Sequence, residues 1–283
     1  MHSLTELVED FINYLTQAGK SSLTIIAYRN DLNQLVSFLA SREKTTIGPV
    51  SILDLEAFKQ ELSNKNYTAK SVARKLNAIK GLFRWAVSTN KLEQDPAASV
   101  AHPKYELAAP RILSPIEYRA LRDAAREDIR IAAIVELLLQ TGMRISEVAS
   151  IKIDDVKDTT IKILNRETTL NGSAKRAFDA YLAKRPIRQQ AENSGHLFIT
   201  KTGKPLLVRN IRAAIERCFA EAGIENATVN DIRNTFIVYQ LSRGVDLLTV
   251  SQVVGHKRLA TTERYLKLVK ERKPTKKTGL SEL

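Results

Sequence analysis

Leu4, Leu7, Val8, Phe11, Ile12 and Leu15 recur at intervals that put their side chains on one face of a helix. Ala18-Gly19-Lys20 ends that run. Ser22 is placed to cap a second helix through Ile25, Ile26, Leu32, Leu35, Val36 and Leu39, and Gly48-Pro49 breaks the pattern. Leu53, Leu55, Phe58 and Leu62 mark a third helix. Thr68 can cap a fourth through Val72, Leu76, Ile79, Phe83, Trp85 and Val87. Trp85 reads as core or domain packing. Four amphipathic helices over residues 3–90 can share one core. Asp95-Pro96-Ala97-Ala98 closes this unit. The stretch to Pro110, with Pro96, Pro103 and Pro110, lacks a clear period and reads as a linker.

A second unit opens on Ser114-Pro115-Ile116-Glu117, a capping box with proline at the first helical position. Ile129 to Leu139 is an apolar helix. Thr159–Leu164 and Glu167–Leu170 alternate as a short hairpin that turns near Asn165-Arg166. Helices are expected over Gly172–Leu182, Val208–Ala222, Asn230–Ser242, Leu247–Val254 and roughly Thr261–Val269. His196–Thr200 reads as a further strand, ended by the turn Thr202-Gly203-Lys204-Pro205. Beyond Leu268 the chain is a polar tail with Lys270, Arg272, Lys273, Lys276 and Lys277.

The chain has 283 residues, 43% of them hydrophobic, enough for two domains with cores of their own. A formal charge of +13 favours a polyanionic partner, most simply nucleic acid. The charge is uneven. Residues 1–100 hold 12 Lys and Arg against 10 Asp and Glu, yet residues 62–92 carry Lys65, Lys70, Arg74, Lys75, Lys80, Arg84 and Lys91 with no acid among them. Lys70/Arg74 and Lys80/Arg84 share helix faces at i,i+4, where like charges repel and a phosphate backbone would relieve them. Cys218 is the only cysteine, so no disulfide can form within the chain, and its neighbours Ile215 and Phe219 mark it as buried. No apolar run is long enough to span a membrane and no signal peptide is recognised, so a reducing cytoplasm is expected.

The candidate chemistry lies towards the C-terminal end. Arg144 sits in Thr141-Gly142-Met143-Arg144-Ile145-Ser146-Glu147-Val148, and Arg233 in Asn230-Asp231-Ile232-Arg233. His256 follows Val254-Gly255, and Tyr265 ends Thr261-Thr262-Glu263-Arg264-Tyr265. Two guanidiniums, one imidazole and one phenol are a set able to cleave a phosphodiester without metal. Carboxylates do not cluster at ligand spacing, so no metal or other cofactor is expected.

These motifs, as an ordered set, resemble the tyrosine recombinase (phage integrase) family, above all its compact Xer-like and transposon-resolution members. The resemblance implies a mainly α protein. A four-helix, SAM-like core-binding domain would span 1–96, a linker 97–112, and a mixed α/β catalytic domain with a small antiparallel sheet 113–270. A polar tail would cover 271–283 and pack on a neighbouring protomer. It implies a site-specific DNA recombinase acting on double-stranded DNA with a specific core site. The two domains would clamp the duplex, with two protomers per site and four in a synapse. No additional arm-binding domain is expected before residue 3, so simple core sites are expected.

By the same resemblance Tyr265 is the nucleophile, forming a 3′-phosphotyrosyl bond that stores the phosphodiester energy and makes ATP unnecessary. Arg144 and Arg233 clamp the non-bridging oxygens with planar, permanently charged donors. His256 donates to one of those oxygens, and Glu147 orients a neighbouring group. Lys70, Arg74, Lys75, Lys80 and Arg84 are the expected DNA contacts, on a helix entering the major groove.

The chain departs from the family pattern at two places. Asn230 stands where a histidine is usual; it can hydrogen-bond phosphate but cannot act as a base. The arginines are therefore expected to depress the Tyr265 pKa while Asn230 positions the phosphate. The hairpin Ile161-Lys162-Ile163-Leu164-Asn165-Arg166-Glu167 is short and lacks the Gly-Lys-Gly turn that carries the family's general acid. Lys162 is the nearest lysine, and Arg166 could occupy the tip. Two other readings share these residues: a DNA-binding architectural or regulatory protein that has lost turnover, and a relaxing enzyme like the type IB topoisomerases.

Overall fold

Side-chain caps and apolar stripes set the elements seen in the computed structural model, which describes residues 3–106, 108–164, 166–185, 195–269 and 283. The chain divides into two units, Met1–Leu107 and Ala108–Leu283.

The first unit holds α1 (Leu4–Gln17), α2 (Ser22–Ala40), α3 (Ile52–Asn64) and α4 (Ala69–Ser88). Ser21, rather than Ser22, caps α2 by accepting from the Thr24 amide at 3.3 Å. Thr68 caps α4 in the same way, and Ser51 and Asp54 form a capping box on α3. The stripes meet in one core around Phe11, Leu35, Phe58, Leu76 and Phe83. Trp85 packs against Phe11 with ring centroids 5.5 Å apart. One ion pair lies inside: Asp31 on α2 is 1% exposed and takes the Lys75 ammonium at 2.9 Å, while Arg74 bonds its other oxygen.

The second unit is built around α6 (Ile129–Thr141), buried along almost its whole length. It packs against α5 (Pro115–Ala125), α7 (Ile145–Ser150), α8 (Gly172–Lys184), α9 (Val208–Glu221) and α10 (Val229–Ser242). The Ser114–Glu117 capping box forms as read. A three-stranded antiparallel sheet in the order β1 (Val156–Lys157), β2 (Thr160–Ile163), β3 (Arg166–Thr169) lies between α7 and α8 in sequence. The protein is therefore mainly helical with one small antiparallel sheet, as expected. Two details differ. His196–Thr200 is not a strand; it makes only isolated bridges from His196 to Lys152 and from Ile199 to Pro205. The Leu197 carbonyl is taken by side chains instead: Tyr181 Oη and Arg185 Nε both donate to it. The last helix is short, α12 (Ala260–Glu263), and tightens into a 3-10 turn over Arg264–Leu268. α11 (Leu247–Val254) precedes it. The polar tail at 271–282 lies outside the described residues. Among those described, no helix is long and apolar enough to cross a membrane.

Asp31 and Lys75 provide a stability test. Removing one partner strands a buried charge, so Asp31→Ala should cost about 3–5 kcal/mol in urea unfolding. The double change Asp31→Leu with Lys75→Met should cost clearly less. Equal losses would mean that the pair contributes as packing alone.

Candidate active site

The site is assembled at the C-terminal end of α11. The last carbonyls of a helix lack intrahelical partners and carry partial negative charge. Here three successive ones are each taken by an arginine from a different element. Arg166 Nε donates to Val253 O at 2.9 Å, Arg233 Nη2 to Val254 O at 2.7 Å, and Arg144 Nη2 to Gly255 O at 3.1 Å. Gly255 closes the helix in the left-handed conformation, at φ 66°, and the next residue is His256.

Arg233 lies on α10 and is 7% exposed. Its Nη1 donates to Gly142 O at 2.6 Å, so it also binds the C-terminal end of α6. Gly142 must be glycine there. Its φ is +60°, and a Cβ would lie 2.4 Å from the Phe236 ring. Burial, and next the Arg144 charge, lower the Arg233 pKa to about 10, which leaves it charged at neutral pH. Arg144 stands at the N-cap of α7, its side chain 43% exposed. Glu147 accepts the Arg144 amide at 2.7 Å and its Nη1 at 3.1 Å. Burial opposes ionisation of Glu147, but the Arg166 and Arg144 hydrogen bonds outweigh it and hold the carboxyl below its usual range.

The His256 ring lies over that of Tyr265, centroids 6.3 Å apart and planes within 15°. Its Nδ1 is 2.7 Å from Thr262 Oγ1, which is fully buried. Burial, then Arg233 and Arg144, push the His256 pKa down to about 4, so the ring is neutral at pH 7. Tyr265 sits in the 3-10 turn, and its hydroxyl donates to Asn234 Oδ1 at 2.8 Å. Asn234 in turn donates to Asp231 Oδ1 and Arg111 O, both at 3.1 Å, which fixes its amide. The expected depression of the Tyr265 pKa is reversed: burial raises it, and the opposing Arg233 and Arg264 charges do not make up the difference.

Arg144, Arg233, His256 and Tyr265 are thus brought together. Asn230 is exposed on the first turn of α10, and it is Asn234, one turn further on, that holds the phenol. Lys162 is not brought to the cluster. It pairs across the hairpin with Glu167 on the exposed face, whereas Arg166 shares the opposite face with Ile161, Ile163 and Thr168. Sequence reading missed Asn234 and Thr262; their only signal was adjacency, directly after Arg233 and three residues before Tyr265. Among the described residues no His, Cys, Asp and Glu cluster is placed to hold a metal.

The basic helix α4 is also sorted. Lys70, Arg74 and Arg84 are exposed along one face together with Asn77, and Lys80 donates to Ala98 O at 3.1 Å. Lys75 is a correction: it is 6% exposed, held by Asp31 and the Tyr67 ring, and is not presented to a ligand.

A family model described as "Phage integrase family" matches residues 111–272, and "Phage integrase, N-terminal SAM-like domain" matches residues 8–90. A tyrosine recombinase XerC of Roseiflexus castenholzii is 30% identical over 285 residues, covering 94% of this chain and 90% of the relative. The crystal structure of XerA recombinase is similar at 26% identity and a TM-score of 0.52, covering 93% of both chains. A lambda integrase tetramer bound to a Holliday junction shares the fold at 15% identity and a TM-score of 0.76, covering 93% of this chain and 77% of that one.

The depressed His256 pKa sets a pH test. The unfolded chain takes up its proton near the ordinary value of about 6.5, the folded chain only near 4. Acidification through that window therefore favours unfolding, and this contribution to stability rises with pH across it. His256→Gln should flatten that part of a urea-midpoint against pH curve; an unchanged slope would place the titration elsewhere.

Proposed function

This chain belongs to the phage integrase family, and from that membership we propose that it is a site-specific recombinase that cuts and rejoins DNA through a 3′-phosphotyrosyl link to Tyr265. The observation that carries the reading is the convergence of Arg144, Arg233, His256 and Tyr265 around the end of α11.

In the proposed step the Tyr265 oxygen attacks the scissile phosphorus in line, and the bond to the 5′ oxygen breaks. Charge builds on the non-bridging oxygens. Arg144 and Arg233 each spend two N–H groups on protein oxygens, and a guanidinium has five, so both retain donors for phosphate. Each such donor is worth about 3–4 kcal/mol in the transition state, by analogy with oxyanion holes. With Nδ1 engaged by the Thr262 hydroxyl, the tautomer of neutral His256 protonated at Nε2 would offer that proton to an oxygen. Asn230 offers its amide. The phenol proton passes to water, since its partner Asn234 is an amide and cannot take it. The 5′ oxygen recovers a proton from water. Rejoining reverses the step on a new 5′-hydroxyl without ATP.

The substrate would be double-stranded DNA carrying a specific core site. Lys70, Arg74 and Arg84 on α4 would contact phosphates and base edges, with a steep loss of affinity as salt rises. The likeness to a junction-bound lambda integrase tetramer supports assembly as a homo-oligomer, two protomers per site and four in a synapse. A second reading has its own support. A half-buried phenol donating to an amide favours the neutral, unreactive form, as in a DNA-binding protein that does not cut.

Trapping on a nicked suicide duplex separates the two. Wild type should give a covalent protein–DNA band and Tyr265→Phe none. Asn230→His should equal or exceed wild type; a large loss would assign Asn230 a role beyond phosphate positioning. A wild type that binds but never links to DNA would establish the second reading. The rate should also climb with alkaline pH, by up to about tenfold per unit while the phenol stays below its raised pKa. A flat profile would mean that another step limits cleavage.

A further inference from the structure

Arg166 is the one arginine at the end of α11 that the reaction above leaves unused. It begins β3, and its side chain is 16% exposed. Every polar group on its guanidinium has a protein partner: Nε on Val253 O at 2.9 Å, Nη1 on Glu147 Oε1 at 2.9 Å and Nη2 on Glu147 Oε2 at 2.8 Å. The Gly255 turn is moulded to it, for a Cβ at Gly255 would lie 2.6 Å from Nη1 and 3.0 Å from Cζ. Glu147, gripped by both oxygens, is the group that holds the Arg144 amide and guanidinium.

We propose that Arg166 is a positioning residue: by binding Glu147 and the Val253–Gly255 turn at once, it sets the spacing between Arg144 and His256 at the scissile phosphate. The proposal rests on the recombinase reading of those two residues. Three segments far apart in sequence meet on this guanidinium: the hairpin, the turn carrying Arg144 and the turn carrying His256. An exposed ion pair would do little, but this one is buried and bidentate. Arg166 therefore acts through Glu147, with three of its five N–H groups, one on each nitrogen, held by protein oxygens. Lysine cannot replace it, because an ammonium cannot present the planar fork that spans both carboxylate oxygens while a third donor reaches a carbonyl.

The test is a double-mutant cycle on the full chain with Arg166→Lys, Glu147→Gln and both together. The readouts are the single-turnover rate of covalent complex formation at saturating protein, DNA affinity by anisotropy, and thermal melting. Each single change should slow cleavage by about tenfold to a hundredfold, the range expected when reacting groups are misplaced by about an ångström. DNA affinity should stay within about twofold, and the double variant should be no slower than the worse single. Losses that multiply would mean that Arg166 touches DNA independently of Glu147 and would overturn the proposal. So would a wild-type rate in Arg166→Lys, or losses of binding and melting that track the loss of cleavage. If wild type itself forms no covalent complex, the recombinase reading falls, and this proposal with it. If wild type and Arg166→Lys form it equally well, only this proposal falls.

Discussion

Three guanidiniums on three successive carbonyls at the end of α11 organise the catalytic unit. A helix terminus needs donors for its last carbonyls, and its partial negative charge favours cations there. Arginine meets both needs and keeps donors to spare. The glycine at position 255 lets the chain reverse directly behind those carbonyls, so that His256 emerges beside the arginines that bind them. Gly142 does the same at the end of α6, where Arg233 takes the carbonyl. The buried charge of Arg233 is thus compensated mainly by backbone dipoles rather than by a carboxylate. That choice leaves positive potential available at the site instead of cancelling it.

The electrostatic consequences follow from this crowding. Burial and neighbouring guanidiniums hold His256 neutral, and the Thr262 hydroxyl anchors the ring at Nδ1. The same burial raises the Tyr265 phenol, and Asn234 stabilises its neutral form. The free protein therefore keeps its phenol protonated, and reaction depends on what an incoming phosphate does to that environment. Glu147 is drawn into the arginine cluster, and its ionisation is secured by Arg166 and Arg144 against the cost of burial.

The helical unit obeys a different constraint. Its α4 carries both the core stripe and the basic residues, and the helical period allots them to faces. Lys70, Arg74 and Arg84 fall outward, while Lys75 falls inward and is tolerable there only because Asp31 meets it. Counting charges along the chain cannot make that distinction.

Sequence alone determined the two-unit organisation, the mainly helical fold and the four residues that converge. Each is encoded locally: apolar stripes at helical spacing, the Ser114–Glu117 capping box, and short motifs around Arg144, Arg233, His256 and Tyr265. What only the tertiary structure decided depends on contacts across long separations. Asn234 meets Tyr265 from 31 residues away, and Arg166 meets Val253 from 87. Lys162 and Arg166 look interchangeable along the hairpin, yet strand alternation and register send them to opposite faces. The direction of the Tyr265 pKa shift was likewise beyond the sequence, because it is the balance of burial against charge, and both are properties of packing.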